Sequence, residues 1–132
     1  MYNKKSLEIF TNLTNVGVLQ GASAVGQYIN PETSDNFKLY VKVEDGKIIA
    51  SSFKAFSGVV GVALMSTLTE LVKDLKIEEL ANFDMKSLEE KLALDDKDRY
   101  LLEDVKSAIL ATVEDYQKRL EKEQKAEKKA KK

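Results

Sequence analysis

Phe37, Leu39, Val41 and Val43 alternate with Lys38, Tyr40, Lys42 and Glu44. A period of two puts one row on a core and the other toward water, the mark of a half-exposed antiparallel strand. Asp45-Gly46 supplies the residues of a tight hairpin turn, and Lys47 to Phe56 reads as the returning strand. Upstream, Gly17, Gly21 and Gly26 punctuate a β-like stretch from Val16 to Ile29, followed by a turn-rich segment, Asn30 to Asp35. A short helix is expected over Lys5–Leu13, with Leu7, Phe10 and Leu13 on its apolar face. On this reading Tyr40 and Lys38 are ordinary surface residues of the hairpin.

After Phe56 the period changes from two to three and four. Ser57 is a candidate cap for a helix from Gly58 to Asp74. The first turns of that helix are apolar almost all round, so burial of that end is expected. Ile77–Ala81 is a short helical turn. Asp84 or Ser87 caps the next helix, Ser87-x-x-Glu90 having the form of a capping box, with Met85, Leu88 and Leu92 on its apolar face. A last helix begins near Asp98, and Leu101, Val105, Ala108, Ile109, Thr112, Tyr116 and Leu120 step along one stripe. Strands followed by helices predict an α+β fold: a three-stranded antiparallel sheet, helices packed on one face, and a long C-terminal helix. Residues 1–120 form one domain and residues 121–132 a Lys/Glu-rich solvated tail.

Composition narrows the chemistry. The 132 residues contain no Cys and no His. That excludes disulfides, thiolate nucleophiles, Cys-ligated zinc or iron–sulfur clusters, imidazole bases and Ser-His-Asp triads. The net charge of −1 hides an asymmetry: residues 118–132 hold eight basic and three acidic side chains, and the rest is correspondingly acidic. Arg occurs only at Arg99 and Arg119, and no aromatic is interleaved in the tail, which disfavours nucleic-acid readout. No apolar run approaches the roughly 20 residues of a membrane span, and no signal-peptide pattern follows Met1. A cytoplasmic protein with no membrane contact is the expectation.

The order of several short motifs then carries a resemblance. Asn12-Leu13-Thr14-Asn15-Val16-Gly17, Phe53-Lys54-Ala55-Phe56-Ser57-Gly58, Thr69-Glu70-Leu71-Val72-Lys73 and Ala108-Ile109 through Asp115-Tyr116 follow one another over residues 8 to 116. In order and spacing this resembles the NifU/IscU-type iron–sulfur cluster scaffold family. The resemblance implies the α+β fold above and a transient cluster site of three cysteines and an aspartate. At the positions matching the cysteines this chain has Thr33, Gly58 and Leu101, and Tyr100 stands where the family has histidine. Asp35 alone is retained. The proline-bearing loop that the family offers to a chaperone is replaced by Leu94-Asp95-Asp96-Lys97-Asp98.

A thiolate-held cluster needs thiolates, so no cofactor is expected and no catalysis. The resemblance implies an accessory, partner-binding protein, with a cysteine desulfurase or another cluster-assembly protein as partner, or a second copy in a homodimer. The alternative from another class is a weak oxygen-ligand cation or small-ligand site built on Asp35 with Thr33 and Ser34. Asp35 as a plain turn residue is the simpler reading. Val59, Leu64, Met65 and Leu101 make the old site apolar, which leaves two options: an exposed partner patch, or side chains filling a vacated pocket.

Overall fold

A computed structural model describes residues 3–130, without the side chains of residues 129 and 130. Lys131 and Lys132, counted above in the basic tail, lie outside the described residues. The order is α1 (Lys4–Phe10), β1 (Ala24–Ile29), β2 (Asn36–Glu44), β3 (Lys47–Phe56), α2 (Val59–Leu71), α3 (Ile77–Leu80), α4 (Met85–Leu92), a 3-10 turn (Asp96–Asp98) and α5 (Tyr100–Ala130). The three strands form an antiparallel meander with β2 central. The predicted α+β architecture is the observed one. Asp45 and Gly46 both have positive φ, +51° and +77°, which suits a two-residue turn matched to the twist of the hairpin.

The inner face of the sheet carries Phe37, Leu39 and Val41 from β2, all fully buried. They pair with Tyr28, Gly26 and Ala24 of β1. Helices α2 and α5 cover this face. Gly26 is required there: a β-carbon at this position would sit 2.6 Å from the Thr112 Cα of α5. Its absence lets α5 lie directly on β1. The free edge of β1 is also tied to α5, because Val25 N–H donates to Asp115 (2.8 Å). Arg119 then bridges Asp115 (3.0 Å) and the Ala22 carbonyl (3.1 Å).

Several local expectations are corrected. The face Leu7–Phe10–Leu13 does not form a buried stripe: α1 stops at Phe10, Leu7 and Phe10 are exposed, and its buried residue is Ser6. Only Ala24–Ile29 of the glycine-punctuated stretch is a strand. The part before it crosses the molecule as irregular chain. Its first portion lies along β3, with Phe53 N–H donating to the Asn15 carbonyl (2.9 Å) and Gly17 N–H to the Phe53 carbonyl (2.7 Å). Ser52 Oγ also donates to the Gly17 carbonyl (2.6 Å). Tyr40, paired with Ser52, is only 5 % exposed. It is therefore not a surface residue. Asp84 is the cap of α4, accepting from Lys86 N–H (3.0 Å), whereas Ser87 lies inside the helix and donates to the Asp84 carbonyl.

The C-terminal helix runs without a break into the tail. Leu101, Val105, Ala108, Ile109 and Thr112 are buried along one stripe, as their spacing predicts, while Leu120 is exposed. Residues 121–128 are helical and solvated. Among the described residues no helix is long and apolar enough to cross a membrane.

Candidate functional site

The β1–β2 connection, residues 30–35, is built by Asn30. Its side-chain oxygen accepts from the N–H groups of Glu32 (2.9 Å) and Thr33 (3.2 Å). Its backbone N–H donates to the Asp35 carbonyl (2.8 Å), and its carbonyl accepts from Ser34 N–H (2.9 Å). Its amide nitrogen donates to both oxygens of Asp104 on α5, at 3.1 and 3.0 Å. An Asx turn of this kind lets a short side chain stand in for backbone partners. It holds Ser34 at φ +67° and fixes the loop against the start of α5.

The loop aims the Asp35 carboxylate at three hydroxyls from three elements. Thr33 Oγ1 donates at 2.7 Å, Ser57 Oγ at 2.7 Å and Tyr100 OH at 3.0 Å. Ser57 stands between β3 and α2, and Tyr100 opens α5. Ser57 is therefore not the helix cap expected of it. Gly58 is the capping residue of α2, without a side-chain bond, and the Ser57 hydroxyl is spent on Asp35. Gly61 makes room for this: a β-carbon there would sit 2.8 Å from Ser57 Cβ and 3.1 Å from the Phe37 ring.

The electrostatics follow from these bonds. Partial burial pushes Asp35 up, but the Thr33, Ser57 and Tyr100 donors together outweigh it, and the carboxyl falls below its ordinary 3.8. Tyr100 moves the other way. Burial, its bond to Asp35, and the charges of Asp35, Asp104 and Asp98 all raise the phenol above 10.0. Asp104 is also raised: burial favours its neutral form, the Asn30 amide opposes that, and the charges of Asp35 and Glu103 add to it.

The positions singled out in the sequence divide into two groups. Thr33, Asp35 and Gly58 line one shallow cleft together with Ser57 and Phe56. Ser34, read as a helper of Asp35, makes no bond to its carboxylate; that part is taken by Ser57 and Tyr100, which sequence reading assigned elsewhere. Leu64 and Met65 are fully buried and Leu101 is 4 % exposed, so these three belong to the core. Only Val59 of the proposed apolar patch reaches solvent. The patch is corrected to a filled pocket, because α2 and α5 turn these side chains inward onto the sheet. Among the described residues no group of three or more His, Cys, Asp or Glu is placed to hold a metal ion.

The N-terminal motif has a structural task of its own. Thr14 N–H donates to Ser66 Oγ (3.0 Å), Thr14 Oγ1 to Glu70 (2.6 Å), and the Asn15 amide to Thr69 Oγ1 (3.2 Å). Asn15 takes φ +60°, a left-handed conformation that Asn tolerates. These bonds lash the segment to α2 before it crosses β3.

Comparison with known proteins agrees with this frame. The family described as "NifU-like N terminal domain" matches residues 1–123. The chain is 40 % identical over 93 residues to the iron-sulfur cluster assembly scaffold protein IscU of Aquifex aeolicus, covering 69 % of this chain and 59 % of that protein. It is 37 % identical over 79 residues to IscU 1 of Archaeoglobus fulgidus, covering 60 % of this chain and 52 % of that protein. The chain thus spans between half and three fifths of these relatives' length. A crystal structure of a nitrogen-fixing NifU-like protein (N-terminal) from Brucella abortus superposes with a TM-score of 0.68 at 19 % identity, over 91 % of this chain and 94 % of that one, a likeness of fold. The frame, the ordered motifs and the match over residues 1–123 together place this cysteine-free chain in the NifU-like N-terminal domain family, among the relatives of iron–sulfur cluster assembly scaffolds.

Proposed function

We propose that this protein is a non-catalytic, cluster-free relative of the assembly scaffolds that acts in the cytoplasm by binding other proteins. One observation carries the reading: the carboxylate that the family keeps beside its cluster is here engaged by the hydroxyls of Thr33, Ser57 and Tyr100. Hydrogen bonds tie the carboxylate within the fold, and the chain offers no thiolate to iron. What the chain retains is the frame, and a retained frame without its chemistry supports a role in recognition. A cysteine desulfurase or another cluster-assembly protein is the partner this relationship favours, with a second copy of the chain as the other arrangement.

The test is anaerobic incubation of the purified protein with ferrous iron, sulfide and a cysteine desulfurase. The expected outcome is no stable visible absorption, together with co-elution of the protein and the desulfurase on size exclusion. A stoichiometric, stable cluster overturns the cluster-free reading. Separate elution at micromolar concentrations removes the desulfurase as partner.

A further inference from the structure

The outer face of the sheet consists of transverse rows whose members are fixed by the strand register. Ile29, Asn36 and Phe56 form the first row, Gln27, Lys38 and Lys54 the second, Val25, Tyr40 and Ser52 the third, and Lys42 with Ala50 the fourth. Ser52 of the third row donates to the Gly17 carbonyl of the segment that runs beside β3. The first two rows are open. Phe56 is 78 % exposed and Ile29 54 %.

The charge on this face is one-sided. Three lysines and no carboxylate occupy these four rows, on a body that is otherwise acidic. Lys38 and Lys54 are direct cross-strand partners, an arrangement of like charges that weakens a sheet. Among the described residues, neither these two nor Lys42 forms an ion pair. Lys38 lies over the Tyr40 ring, 5.5 Å from its centre, a charge-stabilising contact. A groove of about 350 Å³ runs between the lysines and Phe56, lined by Gln27, Asn36, Lys38, Lys54, Ala55 and Phe56. Phe56 also lines the cleft of Asp35, so the groove and the cleft share a wall.

An exposed phenylalanine beside two unpaired, mutually repelling lysines is costly to the free protein and is relieved by one kind of occupant. We propose that the open end of the outer sheet face docks an acidic protein segment carrying an apolar anchor residue, the anchor packing on Phe56 and Ile29 and carboxylates pairing with Lys38 and Lys54. The proposal rests on the partner-binding reading above and gives it a surface. Complementary charge would steer the encounter, and the apolar anchor would supply most of the affinity. Single-stranded nucleic acid fits less well: three lysines and one exposed ring offer a short electrostatic track, and the acidic body repels a polyanion.

The test uses the full chain without iron and a fluorescent synthetic peptide of four glutamates flanking one leucine. A peptide with lysines in place of the glutamates and a fifteen-residue oligo-dT serve as controls. The acidic peptide should bind, lose affinity as salt rises, and shift amide resonances of the first two rows. Lys38→Glu with Lys54→Glu should weaken it roughly tenfold or more, and Phe56→Ala roughly thirtyfold. Phe56 and Lys54 are exposed, so circular dichroism should show an unchanged fold. Equal binding of the lysine peptide, tighter binding of oligo-dT, indifference to the charge reversal, or no binding at millimolar peptide each overturn the proposal. Because iron is absent, none of these outcomes bears on whether the protein assembles a cluster.

Discussion

Tyr100 donates its phenol to Asp35 across 65 residues of chain, at 3.0 Å, and so joins the first turn of α5 to the β1–β2 loop. Tyr100→Phe removes one of three donors, and about 0.5–1.5 kcal/mol of stability should go with it. Asp35→Asn should cost about 1–2 kcal/mol, and the double variant less than the sum, since both remove one bond. Urea unfolding of the four proteins measures the coupling. The pH dependence has a definite sign. The folded-state value of Asp35 is lowered, so its stabilisation is full above the ordinary 3.8 and is lost as pH falls through the folded value. The gap between wild type and Asp35→Asn should therefore close in acid. A gap that stays constant down to pH 2 would show that the carboxylate's charge is not what the hydroxyls hold.

Gly61 should not tolerate alanine. The added methyl collides with the Ser57 side chain and crowds the Phe37 ring. We expect a loss of about 1–3 kcal/mol from overpacking. Asp35 should also lose its Ser57 donor and titrate closer to 3.8, which carboxyl NMR would report. An unshifted Asp35 in Gly61→Ala would mean that Ser57 keeps its place by another route.

Leu64 separates a filled pocket from a partner patch. It is fully buried, so Leu64→Ala should cost about 2–5 kcal/mol in chemical denaturation. A surface leucine would change stability by less than about 0.5 kcal/mol. A small effect would return Leu64 to the surface.

Restoring cysteines tests the correspondence of positions. Gly58 has open space where a β-carbon would stand, Thr33 is exposed, and Leu101 is buried. Because Leu101 faces the core while Thr33 and Gly58 line the cleft, the variant Thr33→Cys, Gly58→Cys and Leu101→Cys should gain no stable visible absorption on anaerobic addition of iron and sulfide. It should also be less stable, because a smaller residue replaces a core leucine. A stable gain in a folded triple variant would show that these three positions converge.

Elements whose signals are local could be read from the chain directly. The alternation of Phe37 to Val43, the Asp45-Gly46 turn and the stripe from Leu101 to Thr112 each sit within a short window, and each reappears as a strand, a turn and a helix face. The absence of Cys and His was equally legible, being a matter of counting. Packing between distant segments settled the rest. Tyr40 is buried despite its place on the outer face of the hairpin, and Leu7 and Phe10 stayed exposed because α1 turns Ser6 inward. Asp35 found Ser57 and Tyr100, 22 and 65 residues away, through the folding of the β3–α2 junction and α5 onto the loop. A residue's period fixes which neighbours share its face. Which distant segment meets that face depends on how the elements pack, and a hydroxyl's hydrogen-bond partner is chosen at that stage.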